Sequence, residues 1–150
     1  MADPLLSVRD LHTYYGDSYV LQGPSLEVRE GSIVAILGRN GMGKTTLIRS
    51  IAGLTPPRQG EVRFKGQSLR GRPPYAVAQL GIALVPQGRR IFRSLTVREN
   101  LMLPTSGLAH PRAGRWSFDA VMKEFPQLAE RVHHGGGALS GGEQQMLAVG

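Results

Sequence analysis

Cysteine is absent from the 150 residues of the sequence. This absence excludes a disulfide framework and a thiolate metal site, and it is compatible with a reducing compartment. Long apolar runs are also lacking, since none approaches the roughly 18 residues that a membrane-spanning helix needs. The opening "MADPLLSVRD" does not show the basic and then apolar pattern of a signal peptide. These absences predict a cytosolic chain.

Acidic residues are scarce relative to basic ones, which gives a net charge of +7 and a pI near 10.6. Such an excess would suit a nucleic-acid binder. The basic residues are dispersed, however, and only "RRIFR" at 89–93 forms a cluster. No alternation of basic and aromatic residues is present of the kind that stacks bases. We therefore expect a small anionic ligand and no nucleic-acid partner.

Apolar residues are arranged in two kinds of strand pattern. Period-two alternation in "LLSVRDLHTYY", "SLEVRE" and "GEVRFKG" predicts half-buried antiparallel strands. "SIVAIL" at 32–37 and "IALV" at 82–85 are continuously apolar, which predicts strands covered on both faces.

Helical patterns lie between and after these strands. "KTTLIRSIAGL" and "PYAVAQLG" predict helices closed by Gly53 and Gly81. After about residue 88 the strand patterns stop, and "TVRENLML", "WSFDAVMKEF" and "PQLAERVHH" are helical, with Thr96 and Glu99 spaced as a capping box. We expect Trp116 in the core. The sequence thus predicts an α/β part over 1–87 and a helical part over 88–150.

One glycine-rich stretch carries a recognisable chemistry. In "GRNGMGKTTLIRS", Gly38, Gly43, Lys44 and Thr45 fit the pattern GxxxxGK[ST] between a predicted buried strand and a predicted helix. Glycines let successive N–H groups turn toward phosphate oxygens, and the helix start adds unpaired donors and partial positive charge. The lysine can neutralise β- and γ-phosphates, and the threonine hydroxyl can ligate Mg²⁺. This stretch is predicted to be a P-loop.

A second glycine-bearing helix start occurs about a hundred residues later. "LSGGEQQ" at 139–145 places Ser140 and Glu143 at capping-box spacing around two glycines. Its first-turn N–H groups predict another anion site, which lacks a lysine.

With both motifs, the chain resembles the ATP-binding subunits of ABC transporters over essentially all of its length. The motifs occur in family order: "YYG" at 14–16, "GRNGMGKTT" as Walker A, "LVPQGRRIF" with the Q-loop glutamine, "LTVRENL", and "LSGGEQQ" as the signature. The sequences of three motifs are most similar to those of the subunits of importers for branched-chain amino acids, amides and urea. These motifs are "GRNGMGKTTL", "VPQGRRIF" and "LSGGEQQMLA".

The resemblance implies roles for individual residues. Tyr15, directly before Gly16, would stack on adenine in preference to Tyr14. Lys44 and Gln87 would act in catalysis, with Gln87 and Thr45 at Mg²⁺. The residues implied to bind ATP are Tyr15, Gly38, Asn40, Gly41, Gly43, Lys44, Thr45, Thr46, Ser140, Gly141 and Gly142, the last three across a dimer of two such subunits.

The resemblance also implies partners and a location. Membrane permease subunits would dock through the Q-loop region, and the protein would lie peripherally at the cytoplasmic face of the inner membrane. The family continues after its signature with a strand ending in Asp, a catalytic Glu and a histidine, none of which is among these residues. We therefore expect the C-terminal part of the sheet to be missing and this stretch alone to be inactive. A soluble ABC ATPase acting on ribosomes or DNA, or a nucleotide-binding fragment without turnover, stays open.

Overall fold

The computed structural model describes residues 3–103 and 116–150. The chain folds as two compact units, Met1–Leu84 and Val85–Gly150. Each unit has a buried apolar cluster of its own.

An antiparallel sheet forms the framework of the first unit. Its strands are β1 (Leu6–Tyr15), β2 (Ser18–Gln22), β3 (Leu26–Val28), β4 (Gln59–Phe64) and β5 (Gln67–Ser68). The hydrogen-bonded order is β2-β1-β4-β5, and β3 pairs with the first residues of β1. The period-two alternation therefore identified the long strands correctly, because one face of this sheet is buried and the other is largely solvated.

Two helices belong to the same unit, α1 (Lys44–Ile51) and α2 (Pro74–Gln79). Leu47 and Ile51 of α1 are buried in one cluster with Val8 and Leu11 of β1. Below them the hydroxyls of Ser50 and Thr13 form a buried hydrogen bond of 3.1 Å, so that both polar groups are satisfied. This packing fixes α1, and hence the loop before it, on the sheet.

The two continuously apolar stretches are not strands, and that prediction is wrong. Neither 32–37 nor 82–85 pairs with a strand of the described residues, and Ile33 and Leu37 are 98% and 89% exposed. A strand of this type is stable only when neighbouring strands pair with it and both of its faces are covered. The sheet of the described residues is antiparallel, and neither segment is one of its strands.

The second unit is helical over its described residues. It contains α3 (Val97–Met102), α4 (Phe118–Glu124), α5 (Pro126–Ala129), a 3₁₀ turn (Gly136–Ala138) and α6 (Gly141–Val149). Its buried cluster consists of Val97, Leu128, Leu139 and Leu147. Thr96 and Glu99 form the predicted capping box at the start of α3. Trp116 is 67% exposed, which corrects our expectation of a core position; its neighbour Ser117 caps α4, so the indole lies outside the helix.

Neither a membrane-spanning helix nor a metal-binding cluster occurs within these two ranges. No helix of residues 3–103 and 116–150 has the length and apolar character needed to cross a bilayer. The same residues contain no group of three or more His, Cys, Asp or Glu side chains placed to hold a metal ion.

Candidate functional site

The glycine-rich loop before α1 has the backbone conformation that its sequence predicts. Gly41 and Gly43 have φ angles of +85° and +83°, in the left-handed region that residues with a side chain rarely adopt. Gly43 is the N-cap of α1 and lies against β2, where an added Cβ would approach the Leu21 side chain to 2.8 Å. Substitution there would therefore strain both the backbone and the packing.

The start of α1 is uncapped. Among residues 3–103 and 116–150, no side chain accepts a hydrogen bond from its first-turn N–H groups, and no acidic residue occurs in that turn. These N–H groups have no partner within a helix and carry partial positive charge. The first turn consists of Lys44, Thr45 and Thr46. This arrangement leaves N–H donors and the exposed hydroxyl of Thr45 available to an anion, whereas Thr46 is buried.

The Lys44 ammonium lies at the same loop. It donates to the carbonyl oxygens of Gly38 at 2.6 Å and Arg39 at 2.7 Å. An ammonium has three N–H donors, so one is left for an acceptor from outside the protein. Because the two carbonyls are neutral, the positive charge is not cancelled, and an anionic ligand would meet it.

A cavity of about 640 Å³ opens beside this loop. Its walls include Tyr19 and Leu21 of β2, together with Gly41, Gly43 and Lys44. Cavities of about 300 to 1,000 Å³ are the usual size of small-molecule and cofactor sites. Asn40 lies in the same loop and is exposed, but does not line the cavity.

Two adjacent tyrosines at the end of β1 have different surroundings. Hydrogen bonding lowers the pKa of the Tyr15 hydroxyl, with the larger effect from Thr55 and the smaller from Thr46. Because Thr46 belongs to the first turn of α1, the Tyr15 side chain lies beside that turn. The Tyr15 ring is 45% exposed and does not line the cavity. Tyr14 instead stacks on Tyr19, with ring centroids 4.5 Å apart, and Arg58 lies 4.4 Å above it. Both faces of the Tyr14 ring are therefore covered.

The start of α6 carries a complete capping box. The Ser140 hydroxyl accepts from the Glu143 N–H at 3.3 Å, and the Glu143 carboxylate accepts from the Ser140 N–H at 2.6 Å. The pKa of Glu143 is held below its usual range, chiefly by hydrogen bonds with the backbone N–H and then the hydroxyl of Ser140. The guanidinium of Arg131, which lies 2.8 Å from the carboxylate, lowers it further. Gly141 and Gly142 are exposed on the first turn.

Gln87 lies near the beginning of the second unit, in an exposed segment without regular structure. Downstream, Phe92 is 60% exposed, but its backbone is held in place. The Asn100 amide accepts from the Phe92 N–H at 2.9 Å and donates to the carbonyls of Phe92, Leu95 and Thr96 at 3.0, 3.2 and 2.9 Å. Asn100 thus fixes a loop that presents an aromatic side chain.

The structure brings together the predicted residues of each motif, one motif in each unit. Gly38, Gly41, Gly43 and the first turn of α1 form one group, with Tyr15 at its edge. The start of α6 forms the other, with Gln87 elsewhere in the same unit. The sequence did not predict the contacts of Arg89, Asn100 and Gln144, because each contact depends on a residue outside its own motif. The basic cluster at 89–93 was the one sequence signal that pointed to Arg89.

Comparison with known proteins gives a family and several relatives. The family model described as "ABC transporter" matches residues 21–150. The branched-chain amino acid transport ATP-binding protein BraG of Pseudomonas aeruginosa is 41% identical over 147 residues. The probable branched-chain amino acid transport ATP-binding protein LivF of Archaeoglobus fulgidus is 35% identical over 145 residues. The aliphatic sulfonates import ATP-binding protein SsuB of Pseudomonas entomophila is 40% identical over 144 residues.

These matches cover 96–97% of this chain but only part of each relative, namely 62% of BraG, 61% of LivF and 49% of SsuB. Among solved structures, one described as an ATP-binding subunit of an ABC transporter superposes with a TM-score of 0.82 at 30% identity. That superposition covers 97% of this chain and 60% of the other. The likeness therefore extends across both units of the chain.

Proposed function

Because the chain belongs to the ABC transporter family, we propose that it binds and hydrolyses ATP to energise an importer. The observation that carries this proposal is the uncapped start of α1, where left-handed glycines and the Lys44 ammonium surround free N–H donors. A carboxylate or hydroxyl of the protein normally occupies such a position. Leaving it open favours a ligand with several anionic oxygens.

The residues of this loop fit a nucleotide polyphosphate and its magnesium ion. Any side chain at position 43 would fill the space against Leu21 and force the backbone out of its left-handed conformation. We propose that the N–H groups of 41–46 and Lys44 hold the phosphates, while Thr45 and Gln87 supply oxygens to Mg²⁺. Bound Mg²⁺ supplies charge neutralisation for phosphoryl transfer. Lys44 would shift its N–H donors from the loop carbonyls to phosphate.

Tyr15 is the aromatic residue that we propose to stack on adenine. Its ring is partly exposed, and its hydroxyl reaches the first turn of α1 through Thr46. Tyr14 is a weaker candidate, since Tyr19 and Arg58 cover its two faces. The division between Leu84 and Val85, three residues before the boundary expected at residue 87, would then separate the unit that holds ATP from the helical unit.

A second ATP-binding subunit is part of the proposal. Ser140, Gly141 and Gly142 lie in the unit that does not contain Lys44, at a helix start whose glycines expose the backbone. We propose that this start meets the γ-phosphate of ATP bound to a partner subunit. Membrane permease subunits would dock at the loop carrying Phe92, and the protein would then lie peripherally at the cytoplasmic face of the inner membrane. Gln87 would link ATP to that docking loop.

The proposed cargo is a branched-chain amino acid or a related amide, as the names of BraG and LivF and the wording of the motifs suggest. Reconstitution of the full-length protein with its permease in proteoliposomes tests this. We expect ATP-dependent uptake of leucine above that of urea, acetamide and an alkanesulfonate. Uptake of urea or the alkanesulfonate in place of both leucine and acetamide would reject the cargo but keep the ATPase, whereas no ATP-dependent uptake of any solute would reject the function.

Gln87→Ala tests the link between ATP and transport in the same preparation. We expect ATP affinity to change less than about threefold, and substrate-stimulated hydrolysis and uptake to fall about tenfold or more. Equal loss of ATP binding and uptake would place Gln87 in the nucleotide pocket only. Full uptake with normal stimulation would remove it from the mechanism.

A further inference from the structure

We propose that Arg89 is a positioning residue that connects the Q-loop segment to the start of α6. Through it, a movement of Gln87 would change the orientation of the helix that meets the ATP of the partner subunit. The inference rests on the proposed function, because it assigns a communication route between two nucleotide sites. It concerns contacts that lie wholly within the unit Val85–Gly150.

The Arg89 guanidinium lies against the first turn of α6. Its Nη1 donates to the Gln144 Oε1 at 3.4 Å. A Cβ at Gly141 would be only 3.3 Å from both Nη1 and Nη2, so the absence of a side chain at position 141 lets the guanidinium approach the helix backbone. Gly141 therefore both exposes backbone N–H groups and leaves room for the guanidinium. The charge of Arg89 adds to the partial positive charge at the N-terminus of α6.

Gln144 carries the contact further into the unit. Its Nε2 donates to the carbonyl oxygens of Gly136 at 3.3 Å and Leu139 at 3.1 Å. These carbonyls belong to the residues that lead into α6, immediately before Ser140. One amide therefore links Arg89, the entering chain and the helix, and a displacement of Arg89 would act on all three.

The backbone around Arg89 is held in an uncommon conformation. Gly88, Arg89 and Arg90 have successive φ angles of +85°, +68° and +40°, and the Arg90 N–H donates to the Gly88 carbonyl at 2.8 Å. Residues with a side chain rarely adopt this region, and they persist in it where surrounding contacts hold them. The contact with Gln144 supplies such a restraint for Arg89. A segment with this conformation can also release it when the contact breaks.

Arg90 is the natural comparison, because it has the same charge, the same loop and the same left-handed backbone. Its guanidinium makes no hydrogen bond or ion pair with the described residues, whereas that of Arg89 reaches residues 141 and 144. A solvated surface arginine would resemble Arg90. Arg89→Gln and Arg90→Gln therefore remove the same charge, but only Arg89→Gln also removes the contact with residues 141 and 144.

The experiment measures ATP hydrolysis by the full-length protein at concentrations that permit pairing of subunits, together with Mg-ATP affinity by calorimetry. For Arg89→Gln we expect kcat to fall about tenfold and the Hill coefficient for ATP to approach 1, with affinity changed less than about twofold. Arg90→Gln should stay within about twofold of wild type in every quantity. Gln144→Leu should reproduce the Arg89→Gln effect, and the double variant should lose no more than either single one.

The outcomes separate the two proposals. If the wild-type protein neither binds nor hydrolyses ATP, the function and the inference both fail. If the wild type turns over ATP cooperatively and Arg89→Gln matches Arg90→Gln, the inference alone fails. A loss of thermal stability that accompanies the fall in kcat, with an unchanged Hill coefficient, would also overturn it, since a merely structural role predicts that result. Gln144→Leu approaches the contact from the other side if Arg89→Gln does not fold.

Discussion

The two glycine-bearing helix starts of this molecule are capped in opposite ways. At α1 no side chain of the described residues closes the first turn, and the Lys44 ammonium lies at the same loop. At α6 a serine and a glutamate close it reciprocally, and Arg131 neutralises that glutamate. An open, cationic start is less stable alone and favours a bound polyanion, whereas a closed start is stable without a ligand. This difference supports the proposal that the first start holds ATP and the second only contacts it.

Lys44→Ala should have the largest effect on the difference between the two helix starts, because it acts on Mg-ATP affinity at the open one. It removes the cation from the open start, and a desolvated polyphosphate would lose its compensating charge, so we expect Mg-ATP binding to weaken by about 2 to 5 kcal/mol. Calorimetry on the full-length protein measures this, with Lys123→Ala, an exposed lysine of α4, as the charge-matched control. Unchanged affinity in Lys44→Ala would exclude this loop as the phosphate site.

Tyr15→Ala should have the next largest effect, also on the side of α1. Loss of a stacked aromatic ring should weaken ATP binding by roughly 1 to 3 kcal/mol, on the scale of base stacking. Tyr14→Ala is the matched comparison and should weaken it less, since that ring is already stacked on Tyr19. A larger effect of Tyr14→Ala would mean that the wrong tyrosine has been assigned.

Ser140→Ala tests the capped start, that of α6, through its contribution to stability. Loss of an N-cap hydroxyl costs about 1 kcal/mol of stability, and we expect the free energy of unfolding of the second unit to fall by that amount. Urea denaturation followed by a probe in that unit measures it. Mg-ATP affinity of the unpaired subunit should not change, and a weakened affinity would show that α6 also contacts its own nucleotide.

Glu143→Gln should give the smallest effect, seen most clearly in how stability depends on pH. The folded-state pKa of Glu143 is lowered from 4.5, chiefly by the Ser140 N–H. Its contribution is therefore fully present above pH 4.5 and is lost as the pH falls through the lowered folded-state pKa. We expect a shallower loss of stability in acid for Glu143→Gln, and likewise for Glu99→Gln, whose pKa is lowered by Thr96. An acid profile identical to that of wild type would contradict this; Glu130→Gln is the control.

Local signals in the sequence predicted local structure well. Both capping boxes are confirmed, because Thr96 with Glu99 and Ser140 with Glu143 need only residues three apart. The alternating strands are confirmed as well, since one buried face determines the pattern. The glycines of the P-loop have the predicted left-handed backbone for the same reason: the residues that determine it are adjacent.

Features that depend on distant partners could not be predicted. The apolar stretch 32–37 has the composition of a buried strand, yet whether it pairs is decided by strands elsewhere. Arg89 and Gln144 are 55 positions apart, and Tyr15 meets Thr55 through the fold of α1 on the sheet. The family resemblance identified the motifs but carried no information about these pairs.

The Asn100 side chain has a consequence for the rate at which any partner would leave Phe92. This one amide accepts a hydrogen bond from the Phe92 N–H and donates to three carbonyls, and these bonds already immobilise the backbone that carries the ring. The conformational entropy of that loop is therefore lost during folding and need not be lost again on association. A partner that packs on Phe92 would gain residence time without any additional contact. A shorter side chain at position 100 would leave the contact surface unchanged and still make the complex dissociate faster.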